Sequence, residues 1–231
     1  MTLKSVFSKF CLAAFILCSM AFMPYHTALQ KPDIAQNVAS VSSISLNNST
    51  FQAGEELTYK IYYNLNFVWI PAGEVIFKIE EEGEQYHLSA VGRTYQSYNW
   101  FFKVRDNYDT YVDKNTLLPS MSERNISEGK IKFYEKTTFD QNRKKAFYQR
   151  GDTKEKITRN NTIDLNEKMY DILSMVYYSR LLSYDDAKTG QEFPASVFLE
   201  ASIYPLKYKF LGKEDKKIRD LGKWSTLKLS P

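Results

Sequence analysis

The sequence predicts a mainly β protein: a curved antiparallel sheet or half-open barrel with one packed amphipathic helix. Three observations carry this reading. Apolar and polar residues alternate with a period of two over much of residues 51–231, the spacing of half-buried strands. The alternating runs are joined by short connections, which favour antiparallel pairing. One stretch switches to three- and four-residue spacing, which marks a helix with one apolar face.

The first element is not part of that fold. Lys4 and Lys9 flank the start of an apolar run from Phe10 to Met23. A basic lead and a run this short read as a secretory signal, since a bilayer-spanning helix needs roughly 20 residues. Residues 1–28 are therefore assigned to a signal peptide and its flank, and Ser19-Met20-Ala21 offers small residues for a cut after Ala21. The implied location is exported, in the periplasm or cell envelope. Both cysteines, Cys11 and Cys18, fall inside this segment, so residues beyond it offer no disulfide, thiol nucleophile or thiolate metal site. Residues 29–50 are polar and rich in Ser, Asn and Gln, and read as a flexible leader.

Residues 51–231 form a single β-rich domain in this reading. Leu57, Tyr59, Ile61 and Tyr63 alternate with Thr58, Lys60, Tyr62 and Asn64; Val75, Phe77 and Ile79 alternate with Glu74, Lys78 and Glu80. A turn over Glu80–Glu84 leads to Tyr86, Leu88 and Ala90. Val104–Asp113 alternates again, and Ile131, Phe133 and Phe139, then Phe147 and Tyr148, then Ile157 mark further strands. Met169, Ile172, Leu173, Val176, Tyr177 and Leu181 predict a helix over Lys168–Tyr184, capped by Asp164 or Asn166. Strands return over Ser196–Ile203, Tyr204–Leu211 and Lys223–Leu229. The pattern runs into Ser230-Pro231 with no closing element, so the sheet is expected to be incomplete at its C-terminal side.

Composition removes several functions. The chain is 43% hydrophobic and 15% aromatic, which argues against disorder, and its formal charge is +4. Without Lys4 and Lys9 the 31 basic residues become 29 against 27 acids, a balance of +2. That is too weak a basic excess for a nucleic-acid partner. With no cysteine and His87 as the histidine of the folded part, zinc and a Ser-His-Asp triad are both disfavoured. No glycine-rich strand-to-helix turn is present to cradle phosphate. No catalytic residue, metal ligand or cofactor is assigned.

Two aromatic clusters stand out. Phe67-Val68-Trp69-Ile70 precedes Pro71, and four consecutive bulky residues cannot share one face of a strand, which suggests a turn or bulge. Tyr98, Trp100, Phe101 and Phe102 form the second. They either cover the open edges of the sheet core or line an apolar cavity in a curved sheet. Phe67, Trp69, Trp100, Phe101 and Phe102 are the candidate ligand-binding residues. The carboxylates Asp106, Asp109 and Asp113, with Glu123 and Glu128, read as solvated or cross-strand ion pairs; Asp109 and Asp113 share a side with Arg105, and Asp106 points to the other.

The chain also resembles a known family. Gly54-Glu55-Glu56-Leu57-Thr58-Tyr59, Ile70-Pro71-Ala72-Gly73-Glu74, Val104-Arg105-Asp106-Asn107-Tyr108, Asp113-Lys114-Asn115-Thr116-Leu117-Leu118-Pro119, Glu128-Gly129-Lys130, Phe139-Asp140 and Tyr170-Asp171-Ile172-Leu173-Ser174 follow in order. Their order and spacing are similar to the exported bacterial family catalogued as domain of unknown function 3108. The resemblance implies an exported, strand-rich protein with one helix, no established activity, and further strands beyond the last residue here. It supplies no catalytic residues.

The function expected is an exported envelope protein that binds an apolar or amphipathic ligand, a lipid or glycolipid, without catalysis. Its partners would be that ligand or an envelope protein, with no nucleic acid and no stable membrane span after signal removal. Two alternatives are a structural scaffold module of the envelope and a carbohydrate-active enzyme using Asp106, Asp109 or Glu123. The enzyme needs two carboxylates facing one cleft.

Overall fold

A computed structural model describes residues 50–65, 67–182, 184–218 and 222–230. The signal segment and leader, residues 1–28 and 29–50, lie outside the described residues apart from Thr50. Among the described residues the protein is mainly β, curved and antiparallel with one α-helix, the predicted class.

Eight strands form an unbroken meander in which each pairs antiparallel with the one before it. They are β1 (Glu56–Leu65), β2 (Val68–Glu82), β3 (Gln85–Thr94), β4 (Arg105–Asp113), β5 (Pro119–Glu128), β6 (Ile131–Asp140), β7 (Lys145–Thr153) and β8 (Lys156–Asp164). A second sheet contains β9 (Tyr170–Asp171), β10 (Glu192–Leu199), β11 (Ser202–Ile218) and β12 (Gly222–Ser230), in the order β12-β11-β10-β9. The helix α1 (Ile172–Leu181) follows β9 directly.

The inner face of the meander is filled. Val75, Ile79, Leu88, Ala90, Tyr108, Val112 and Ile126 pack against Leu173 and Tyr177 of α1, with Phe51 closing one side. Phe51 meets Tyr177 edge to face at 5.3 Å. A second cluster joins Phe139, Ala146 and Tyr148 of the meander to Leu165, Met169 and Phe198. The alternation seen in the sequence is therefore an inner apolar face and an outer polar one.

Three expectations need correction. The helix is shorter than Lys168–Tyr184, because Tyr170 and Asp171 are drawn into parallel pairing with Val197 and Phe198. Its cap is Asp171, not Asp164 or Asn166: the Asp171 carboxylate accepts from the Ser174 N–H at 2.9 Å, and the Asp171 N–H donates to Ser174 Oγ at 3.0 Å. Ser196–Ile203 is not one strand; the chain reverses at Glu200-Ala201, whose φ values of 51° and 61° build the primed two-residue turn that suits hairpins. The turn or bulge expected beside Pro71 is a bulge: β2 runs through the proline, and the register shifts opposite Ile61-Tyr62.

Asp171 also accepts from Thr110 Oγ1 of β4 at 2.6 Å, which ties the start of α1 to the sheet. Asp171→Ala removes a cap and leaves the buried Thr110 hydroxyl without its acceptor. We expect a loss of about 2 kcal/mol in urea unfolding, with Asp171→Asn retaining more than half of it.

Candidate functional site

The aromatic residues singled out in the sequence gather at one end of the meander. Because the strands alternate in direction, the β1–β2 turn and the β3–β4 connection emerge together there. Pairing of β2 with β3 starts at Gly73 opposite Thr94, whereas pairing with β1 continues outward to Val68. Tyr62–Leu65 and Val68–Pro71 thus form a two-stranded ribbon extending past the third strand. Phe67 sits at its tip with φ 72°, held by its N–H donating to Asn64 Oδ1 at 3.1 Å.

Phe67 is 95% exposed, Trp69 66% and Trp100 84%, with Val68 exposed beside them. Phe101 is half-buried and meets Trp100 edge to face at 5.8 Å. Phe102 plays another part: its ring lies over Gly129, where a Cβ would come within 2.9 Å of it. Phe67, Trp69 and Trp100 are turned mainly to solvent, while α1 and the second sheet contribute side chains to the clusters on the inner face of the meander. The lysines at this end include Lys103 and Lys130, both exposed on the connections beside Trp100 and Gly129.

The carboxylates divide between the two faces of the sheet. Asp106 is buried on the inner face and accepts from the Ser127 N–H at 2.9 Å. Glu128 is buried beside it; burial, then the neighbouring Asp106 carboxylate, pushes its pKa up to about 8. Asp113 does not form an ion pair across strands but accepts from the N–H groups of Asn115 and Thr116, closing its own turn. Asp109 and Glu123 stand opposite each other on the outer faces of β4 and β5. Both border one polar cleft of about 360 Å³, which Asp106 does not reach.

His87 is half-buried rather than a simple surface residue. Its Nε2 lies 2.8 Å from Asp109 Oδ1, and its ring stacks on Tyr111 at 4.6 Å. The Asp109 hydrogen bond holds its pKa above the ordinary value, with desolvation opposing. Among the described residues, Glu80, Glu82 and His87 bring possible metal-ligating atoms within 4.8 Å of one another. Two of the three are exposed carboxylates, and they also serve as counter-charges to the imidazolium.

The sequence reading missed the strongest buried electrostatic cluster, Arg124 with Glu135, Tyr148 and Arg150 on the inner face of β5–β7. Arg124 Nε donates to Glu135 Oε2 at 2.9 Å and Arg150 Nη1 to Glu135 Oε1 at 2.7 Å. Strand β5 has no clean apolar alternation, and in β6 the alternation of Ile131, Phe133 and Phe139 marks the strand but gives no sign that Glu135, on the same side, is paired.

Among the described residues no helix is long and apolar enough to cross a membrane. A family model described as "Protein of unknown function (DUF3108)" matches residues 58–231. No curated protein and no solved structure matches the chain.

Proposed function

The chain belongs to this DUF3108 family of proteins of unknown function, and from that premise we propose that it is an exported envelope protein that binds the surface of a lipid assembly through its aromatic end. The observation that carries the reading is the β1–β2 ribbon, which holds Phe67, Val68 and Trp69 in solvent beyond the edge of the sheet. A free two-stranded ribbon is marginal in water, and Trp beside exposed apolar groups suits the boundary between headgroups and acyl chains. Trp100 on the neighbouring connection adds a second anchor, and Lys103 and Lys130 at the same end favour anionic headgroups. The ligand is thus met on the outside of the sheet rather than within its curve. Export and envelope location rest on the N-terminal pattern of Lys4, Lys9 and the Phe10–Met23 run.

The test uses the processed chain with vesicles of phosphatidylglycerol and phosphatidylethanolamine. We expect the protein to float with the vesicles and its tryptophan emission to shift to the blue. The double substitution Phe67→Ser/Trp100→Ser should weaken binding at least fivefold with an unchanged circular dichroism spectrum. Protein that stays in the soluble fraction at every lipid concentration defeats the reading.

A further inference from the structure

The cleft on the outer face of the sheet is unrelated to the aromatic end in its chemistry. Its floor is made by Asn107 and Asp109 of β4, Glu123 and Asn125 of β5, and Tyr134 of β6; its wall is the β7–β8 turn, Asp152–Glu155. The outer face of a sheet has no wall of its own, so the turn must be folded over it. Two features do this. The β7–β8 register shifts on both sides of Gly151, and the chain passes so close there that a Cβ would lie 2.0 Å from the Lys156 carbonyl oxygen. Only glycine permits that approach. Lys154 then reaches back across the face to Glu123, with Nζ 3.3 Å from Oε2.

Beneath this wall lies Tyr134, 5% exposed although it belongs to the outer face. Its hydroxyl is buried without a hydrogen-bond partner. Tyr134 borders the cleft together with Glu123 and Glu155, and both carboxylates, Glu123 the more, add to the upward push that burial gives its pKa. No acceptor nevertheless takes its proton in hydrogen-bond geometry. A buried O–H left unpaired is costly, and such a group at a cavity wall points to a ligand that pairs it.

The charges around the cleft narrow the class of that ligand. Glu123 is matched by Lys136 and Lys154, Asp152 by Lys156, and Asp109 by His87. Most carboxylate charge is thereby offset, which disfavours a strongly cationic ligand. What remains is a set of amides, carboxylate oxygens and hydroxyls that accept and donate at short intervals along one surface. Asn107 and Asn125 face each other across the β4–β5 pair and present both functions. A sugar hydroxyl can accept from Tyr134 and donate to a neighbouring carboxylate at once, which neither an acid nor an amine does so well.

We propose that this cleft binds a neutral carbohydrate, with the Tyr134 hydroxyl donating to a sugar oxygen and Asn107 and Asn125 bonding to the hydroxyls beside it. The proposal is independent of the lipid-surface reading, and nothing in it calls for bond cleavage.

The test is ¹⁵N-edited NMR of the processed chain titrated with maltotriose, cellotriose and a trimer of N-acetylglucosamine, with spermidine as the cationic comparison. We expect at least one trisaccharide to shift the amides of Asn107, Asn125 and Thr153 in a saturable way, with spermidine at least tenfold weaker. Tyr134→Phe keeps the ring and removes the hydroxyl, and should weaken sugar binding at least fivefold while the rest of the spectrum stays in place. Asn125→Ala supplies a second, exposed test that leaves the core untouched, with a loss of similar size. Phe67→Ser/Trp100→Ser, which addresses the lipid surface, should leave sugar binding unchanged. The proposal is overturned if none of the three sugars moves the cleft amides, if spermidine binds more tightly than they do, or if Tyr134→Phe and Asn125→Ala bind as the parent does.

Discussion

Glu135→Ala is expected to destabilise the protein by about 3–5 kcal/mol, the cost of breaking a buried ion pair from one side. Glu135 is 2% exposed and Arg124 8%. The carboxylate of Glu135 collects Arg124 Nε at 2.9 Å, Arg150 Nη1 at 2.7 Å and the hydroxyl of Tyr148. Truncation removes the acceptor for all three and leaves the buried Arg124 guanidinium with Glu200, 3.4 Å away and partly exposed, as its ion-pair partner. Tyr148 reports the same environment, since burial and then Glu135 raise its pKa to about 12. The group links β5, β6 and β7 to the turn between β10 and β11, so the loss should appear as cooperative unfolding at lower urea rather than as a frayed edge. Replacing both partners, Arg124→Met with Glu135→Leu, removes the buried Arg124 charge together with its acceptor and leaves only the half-exposed Arg150 and the Tyr148 hydroxyl without Glu135, so it should recover part of the loss. A single substitution costing under about 1 kcal/mol, or a double one worse than the single, would contradict this account.

The same cluster explains where the sequence could be read and where it could not. Strands β2 and β3 announce themselves because buried apolar residues fall at even spacing along them: Val75 and Ile79 in one, Leu88 and Ala90 in the other. Strand β5 passes unnoticed because its inward positions include Arg124 and Glu128, charges that are buried against partners on other strands. A period of two in hydrophobicity cannot register a strand whose interior face is held by ion pairs. The helix is visible, but its start is not, since Asp171 serves at once as a strand residue, a cap and the acceptor for Thr110. The hairpin at Glu200-Ala201 lacks the glycine or asparagine that usually signals a primed turn. For the aromatic residues, sequence gave their grouping but not their side of the sheet. For the polar cleft it gave Asp109 and Glu123 as candidates but not Tyr134, whose burial depends on Gly151 folding a distant turn across it.

Between pH 5 and pH 9 the protein should lose stability, and Glu128→Gln should remove most of that slope. Glu128 and Asp106 are buried together, and both have raised pKa values, Glu128 to about 8. Desolvation is the first cause in each; for Glu128 the negative charge of Asp106 is the second. Asp106 is steadied by the Ser127 N–H, so the proton resides on Glu128, which donates to Asp106. In the unfolded chain Glu128 titrates near its ordinary value. Below that value both states hold the proton and the pair adds its full stability. As pH rises, the unfolded chain releases the proton first while the native state retains it, so unfolding becomes progressively easier until the native pair also ionises near pH 8. A displacement from 4.5 to about 8 corresponds to a loss of about 3–5 kcal/mol across that window. Glutamine at 128 keeps a donor for Asp106 but has no proton to lose, so the variant should match the parent near pH 5 and exceed it at pH 9. Thermal unfolding at the two pH values decides the matter: equal slopes for parent and variant would show that the proton is not held between these two carboxylates.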